Sequence, residues 1–135
     1  MRGTMSTLLQ KLFLLQFWLR QRRLSVERPV ISRDGFVEQV VAAGGDASAA
    51  ALIWTFLQEW LVADGFSAYP EDDLDRVFGI AEEELEVDLV CGTLKQLGLP
   101  LPNQATIDEF IATFEHINSP LRVAQLVARM RRDTR

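Results

Sequence analysis

The sequence has very little of the side-chain chemistry from which catalytic and metal centres are built. It contains one cysteine, Cys91, and one histidine, His116, so a single chain cannot assemble the usual zinc site of cysteines and histidines. A lone cysteine also rules out an intrachain disulfide, which suits a reducing compartment. We interpret Cys91 as a small apolar core residue in preference to a nucleophile activated by His116. The sequence therefore predicts no catalytic residue, no metal and no cofactor.

Long apolar runs and phosphate-binding loops are also missing. Gly44-Gly45 is not followed by the Lys-Ser/Thr step of a phosphate-binding loop, so it predicts only a turn. The apolar run over residues 12–19 is about half the length of the ~20-residue helix that spans a bilayer. Arginines follow this run, where a signal peptide would have small residues. We therefore predict a cytoplasmic protein, either free or peripheral to the inner face of a membrane.

Charge is distributed very unevenly along the chain. The sequence has 14 basic and 19 acidic residues and a net charge of −5. Residues 1–33 have a net charge of +6, residues 34–119 of −15, and residues 120–135 of +4. This segregation predicts electrostatic contacts within the molecule or with a partner. We do not expect nucleic acid to be that partner, because the acidic middle would repel phosphate groups.

Apolar residues recur at helical spacing, and no segment alternates like a strand, so the sequence predicts an all-α fold, a small helical bundle. We predict helices over residues 6–23, 33–43, 47–64 and 82–97, with a short helical piece ending near Val77. Two more helices are predicted after a capping-box pattern, Thr106-x-x-Glu109, and after Ser119-Pro120. Ser32 and Asp46 are predicted N-caps.

The charge pattern and the linker over residues 24–31 divide the chain into two parts. Residues 1–31 form a basic, amphipathic N-terminal helix with its linker, and residues 32–135 form an acidic helical bundle domain. Three positions are open to the N-terminal helix: on its own bundle, on a second copy of the chain in a homo-oligomer, or on a membrane surface. We expect helix packing in preference to lipid. The predicted membrane or oligomer contacts are Leu12, Phe13, Phe17, Trp18, Arg20, Arg22 and Arg23.

The most acidic part of the chain opens the helix predicted over residues 82–97. Carboxylates near a helix N-terminus interact favourably with the helix dipole, so a cluster there has a local structural reason. We interpret the cluster as a solvated face in preference to a cation site, and we predict that it binds a basic protein partner. The predicted partner-binding residues are Glu82, Glu83, Glu84, Glu86 and Asp88.

Residues from about 47 to 131 resemble an acyl carrier protein. Residues 73–80 resemble the loop before that family's second helix, and Gly98-Leu99-Pro100-Leu101-Pro102 resembles the exit from it. Residues 119–124 resemble the entry to its last helix. The resemblance implies a helical bundle whose acidic second helix docks basic partner surfaces.

The sequence departs from this family at its functional residue. The family bears its phosphopantetheine arm on a serine at the start of the second helix. That position falls at Glu83 here, or at Glu82 or Glu84 if the match is shifted by one residue. No serine lies between Ser67 and Ser119. We therefore predict a non-enzymatic interaction module with an acyl-carrier-like fold and no carrier arm. The alternative is a membrane-surface protein anchored by the N-terminal helix.

Overall fold

The computed structural model describes residues 4–81, 84–106, 108 and 118–133, and all regular structure within these residues is helical. This confirms the all-α prediction. The regular structure includes a 3-10 turn, Gln58–Trp60, and a π-helical segment, Leu85–Cys91. The α-helices with defined bounds are α1 Thr4–Glu27, α2 Arg33–Ala42, α3 Ala47–Leu57, α4 Leu74–Phe78, α5 Gly92–Gln96 and α6 Pro120–Asp133, and residues 104–106 are also helical. The 3-10 turn extends α3, and the π-helical segment leads directly into α5.

The predicted helix starts are confirmed where local side chains cap them. The Ser32 Oγ accepts a hydrogen bond from the Gly35 N–H at 3.0 Å, and the Asp46 Oδ2 accepts one from the Ala49 N–H at 2.9 Å. The Ser119 Oγ accepts from the Arg122 N–H at 3.3 Å, immediately before α6. Each cap satisfies a backbone donor that has no partner within its helix.

Helix α3 packs against both α2 and α6, and these contacts form the centre of the core. Its residues Ile53 and Leu57 are fully buried, as are Phe36 of α2 and Leu126 of α6. Each such side chain contributes about 1.5–3 kcal/mol by leaving water. The core therefore lies in residues 36–130, and α1 packs onto it from outside.

Two predicted helix boundaries were wrong. Helix α1 continues to Glu27, so the connection to α2 is shorter than the predicted linker over residues 24–31. Helix α3 with its 3-10 turn ends at Trp60 and not near residue 64. The second change has a tertiary cause, because the N–H groups of Val62 and Ala63 donate to a side chain of α1 instead of continuing the helix.

The predicted course of one helix and the predicted cap of another also differ from the structure. The prediction of one regular helix over residues 82–97 was wrong, because a π-helical segment occupies Leu85–Cys91 before α5 begins. The Asn103 Oδ1 accepts from the Thr106 N–H at 2.8 Å, so the cap is Asn103 and not Thr106. Glu109, the other half of the predicted capping box, lies outside the described residues.

Candidate interaction surfaces

Helix α1 has two halves with opposite environments. From Phe17 onward it packs on the bundle through the face that carries Phe17, Gln21 and Leu24, and Arg28, directly after the helix, makes a further contact. Before Phe17, the described side chains of residues 8, 9 and 11–16 are exposed to water. We call the six residues of this part the apolar end: Leu8, Leu9, Leu12, Phe13, Leu14 and Leu15.

Gln21 joins α1 to the bundle through both ends of its side-chain amide. Its Nε2 donates to the Val77 carbonyl at 3.0 Å and to the Trp60 carbonyl at 3.1 Å. Its Oε1 accepts from the N–H groups of Val62 and Ala63 at 2.9 and 3.3 Å. The side chain is completely buried, and all of its hydrogen-bonding capacity is used on four backbone groups. No pattern in the sequence indicates this role, because one glutamine among arginines carries no signal of burial.

A second attachment point joins Arg28 to Asp72. Both terminal nitrogens of the guanidinium donate to the two carboxylate oxygens at 2.7 Å, which is the bidentate geometry. The guanidinium carbon also lies 4.1 Å from the centre of the Tyr69 ring and 5.1 Å from that of Phe66. The Asp72 side chain is 6% exposed, so water screens this ion pair only weakly. No local pattern in the sequence indicates this pairing, because the two residues are 44 positions apart.

Phe17 fills the space that Gly79 leaves open after α4. Gly79 has φ +77°, and a Cβ built there would lie 2.7 Å from the Phe17 ring. A larger residue would therefore meet both a backbone and a steric obstacle. Phe17 is 6% exposed, so its ring is buried in the contact between α1 and the bundle and is not part of the exposed apolar end.

The apolar end is exposed on every side of the helix. Its six side chains are between 48% and 59% exposed, and Leu19 continues the exposed row at 52%. Successive residues of an α-helix lie about 100° apart, so Leu8, Leu12 and Leu15 share one face while Phe13 and Leu14 lie on the opposite one. The prediction of a helix with a single apolar face therefore does not hold here. Helices that are apolar all round are usually surrounded by protein or lipid.

The remaining predicted contact residues follow the apolar end along α1. Trp18 is half-buried, and the Arg22 guanidinium lies 5.4 Å from the centre of its ring. The Arg20 Nη1 donates to the Arg76 carbonyl at 2.6 Å, which holds that arginine against the bundle. Arg20, Arg22 and Arg23 remain largely accessible to water, and we call them the arginine collar.

The acidic segment, residues 82–88, is described only in part. Glu82 and Glu83 lie outside the described residues, as does the side chain of Glu86. Glu84 is half-buried, and its Oε1 accepts from the Ala81 N–H at 3.3 Å. Asp88 is exposed. Neither Glu84 nor Asp88 forms an ion pair with another described residue.

The basic ends of the chain neutralise part of the acidic bundle. Arg28 binds Asp72, and the Arg131 Nε binds the Asp46 carboxylate next to the start of α3. Other carboxylates in the described part of the bundle remain exposed to water. They are Asp34, Glu59, Asp64, Glu71, Asp75, Asp88 and Asp108, together with Glu38 on α2. The surface of the bundle therefore keeps a strongly anionic character.

The described residues contain no group of three or more His, Cys, Asp or Glu side chains that could hold a metal ion. Cys91 is a free, half-buried cysteine at the end of the π-helical segment. His116, the base that a cysteine nucleophile would need, lies outside the described residues. The geometry of the described part of the chain thus offers surfaces for contact.

Comparisons with known proteins give no relative, because no protein family, curated protein or solved structure matches this chain. Among the helices of the described residues, none is long and apolar enough to cross a membrane.

Proposed function

We propose that this protein is a non-enzymatic interaction module that docks a basic protein partner on its acidic segment. The observation that carries the proposal is the exposed anionic surface of the bundle. Among the bundle acids that the structure describes, Asp72 is bound by Arg28 and Asp46 is bound by Arg131. Many others are exposed to water. A surface with this excess of exposed carboxylates steers cationic partners toward it by long-range attraction.

Charge density favours the acidic segment over other parts of that surface. Residues 82–88 hold five acids and no basic residue, and the next basic residue is Lys95. The described end of the segment, Asp88, is exposed. It lies in the π-helical turn, and such turns occur frequently at functional sites. These three features support this segment as the docking position.

The resemblance to acyl carrier proteins is part of this proposal. In support, an acidic segment precedes α5, Gly98 follows that helix with φ +70°, and Ser119 caps α6. The resemblance puts the carrier serine's position at Glu83, or at Glu82 or Glu84 with a shift of one residue, and a glutamate carboxylate cannot bear a phosphopantetheine arm. We propose that the scaffold keeps the docking use of the acidic helix and not the carrier chemistry.

Charge reversal on the acidic segment tests the proposal. The variant replaces Glu83, Glu84, Glu86 and Asp88 with lysine. Its matched control replaces four other acids with lysine, and these are the exposed residues Glu38, Glu59, Asp64 and Glu71. Both variants change the net charge equally. Binding of a fluorescent, arginine-rich peptide is measured by anisotropy at several salt concentrations, and far-UV circular dichroism checks that both variants remain helical.

We expect the segment variant to bind the peptide at least about tenfold more weakly than the control variant, because close charge pairs supply most of such an interaction. Binding by the unchanged protein should weaken as salt rises. The same pair of variants is then compared in capture of proteins from a native cell extract. Equal loss in the two variants would show that net charge alone matters, and the acidic segment would lose its proposed role.

A further inference from the structure

The apolar end of α1 is the largest feature that the proposed function does not use. We propose that it inserts into the surface of an anionic phospholipid bilayer, with the arginine collar at the level of the headgroup phosphates. This inference concerns a different surface from the acidic segment, and it stands or falls independently of the proposed function.

The all-round exposure of the apolar end favours lipid as its occupant. A protein groove or a single partner helix would cover one face, either the row of Leu8, Leu12 and Leu15 or the side with Phe13 and Leu14. All of these side chains are about half exposed at present. Insertion into a surrounding medium removes both faces from water together, and the acyl chains of a bilayer are such a medium.

The charges that follow the apolar end select the kind of lipid. Arg20, Arg22 and Arg23 lie within four residues, and water reaches all three. Basic residues beside a membrane are attracted by anionic headgroups, with about 1 kcal/mol for each residue near the surface. Trp18, which lies under the Arg22 guanidinium, is of the residue type that is enriched at the interface of bilayers.

The length of the apolar end sets the depth of insertion. Residues 8–15 of a helix that rises 1.5 Å per residue extend about 12 Å, well short of the ~30 Å hydrocarbon core of a bilayer. The helix can therefore enter one leaflet and cannot cross both. Lys11 is the one charged residue within residues 8–15, and its stem is long enough to carry the ammonium group toward the headgroups.

The attachment of α1 to the bundle gives this insertion a structural consequence. Gln21 and the Arg28–Asp72 pair fix the same helix to the bundle beside the collar. The inserted part and the fixed part belong to one continuous helix, Thr4–Glu27. A bound molecule would therefore hold its bundle at a defined orientation to the membrane.

A second copy of the chain is the main competing occupant. The spacing of Leu8, Leu12, Leu15 and Leu19 is four, three and four residues, which fits one seam of a two-stranded coiled coil. Such a dimer would leave Phe13 and Leu14 in water on the outer side. It would also extend over less than the three heptads that a convincing coiled-coil pattern needs. For this reason we assign the surface to lipid.

Vesicle co-sedimentation with the full chain tests the assignment. The probes are vesicles of phosphatidylcholine alone and vesicles of phosphatidylcholine and phosphatidylglycerol in equal parts. Two variants change the surface, Leu12→Glu in the apolar end and a triple Arg→Gln change in the collar. The control is Val41→Glu on α2, since Val41 is 47% exposed and thus about as accessible as the residues of the apolar end.

We expect binding to the anionic vesicles only. Leu12→Glu should weaken it at least about tenfold, from lost apolar burial and an added charge. The collar variant should weaken it about a hundredfold, or roughly fivefold for each arginine. Val41→Glu should bind like the unchanged protein. Circular dichroism of each variant separates lost binding from lost folding.

Three results would overturn the assignment. Equal binding to neutral vesicles, with no effect of the collar variant, would remove the anionic lipid as the selected partner. Absence of binding to either kind of vesicle would remove lipid altogether. A dimer by light scattering that Leu12→Glu converts to a monomer, without vesicle binding, would assign the apolar end to a second copy of the chain.

Discussion

The two halves of α1 both carry large apolar side chains, but their environments differ. Phe17 is 6% exposed, whereas Phe13, one turn earlier, is 52% exposed. The rings of these two residues are in edge contact with centroids 4.8 Å apart, so the boundary falls between neighbours. The difference arises from what lies beneath the helix. Bundle residues lie under the second half, and nothing in the described part of the chain covers the first.

Two polar side chains, Gln21 and Arg28, hold the helix in place on the bundle. The packed half and the residue after it make polar contacts with the bundle, since Gln21 and Arg28 bind groups that are 39 to 56 positions away in sequence. A buried polar side chain is tolerated only when its hydrogen bonds are made, and the bundle supplies partners for both residues. Substitutions that remove these bonds should therefore lower the free energy of unfolding, whereas a truncation in the apolar end should change it little.

The largest effect is expected from Gln21→Leu. This change keeps approximate volume but leaves the N–H groups of Val62 and Ala63 and two carbonyls without their side-chain partner. Unsatisfied buried backbone groups cost about 1–3 kcal/mol each, so we expect a loss of at least about 3 kcal/mol. Urea unfolding measures the loss. Gln16→Leu, at an exposed position of the same helix, should stay within about 0.5 kcal/mol of the unchanged protein.

Asp72→Asn should have the next largest effect. The substitution leaves the Arg28 guanidinium partly buried without its carboxylate, and we expect a loss of about 2–3 kcal/mol. The control is Asp133→Asn, which removes the 3.8 Å contact with Arg129 at the exposed end of α6. Exposed pairs of this kind contribute about 0–1 kcal/mol. Equal losses in the two variants would mean that Asp72 does not anchor α1.

Gly79→Ala is expected to lower the free energy of unfolding by an intermediate amount. Its positive φ disfavours any residue with a Cβ, and the added atom would meet the Phe17 ring. We expect a loss of about 2 kcal/mol from backbone strain and steric crowding together. Gly98→Ala separates the two causes, because Gly98 has φ +70° and a Cβ added there would have no neighbouring atom within 4 Å. A loss in Gly98→Ala as large as that in Gly79→Ala would remove the Phe17 contact from the explanation.

The smallest effect is expected from Leu12→Ala in the apolar end. Leu12 is 56% exposed, so its truncation should change the free energy of unfolding by less than about 0.5 kcal/mol. Leu57→Ala, at a completely buried position of α3, should cost about 2–5 kcal/mol in the same urea experiment. A large loss in Leu12→Ala would show that this leucine is covered by protein in solution.

Local signals in the sequence predicted the helical elements well. Ser32, Asp46 and Ser119 cap their helices through side chains three residues from the bonded N–H, a relation that the sequence alone contains. Helix ends that depend on distant residues were not predictable in this way. Helix α3 ends early because Gln21, about 40 positions before, takes up the N–H groups that would continue it.

The candidate surfaces were predictable to different degrees. The apolar end and the arginine collar are continuous in sequence, so a pass along the chain finds their residues. Burial of Phe17 and exposure of Phe13 were not predictable, because both lie in the same apolar run. The π-helical turn at Leu85–Cys91 carries no mark in the sequence, since buried Leu89 and Leu94 also suit a regular helix.

Hydrogen exchange along α1, followed by mass spectrometry with and without anionic vesicles, tests the central contrast most directly. Backbone amides of residues 8–15 should exchange quickly in the free protein and become protected when vesicles of phosphatidylcholine and phosphatidylglycerol are added. Amides from Phe17 to Glu27 should be protected in both conditions. Slow exchange of residues 8–15 in the free protein, at the level of the packed half, would contradict the account.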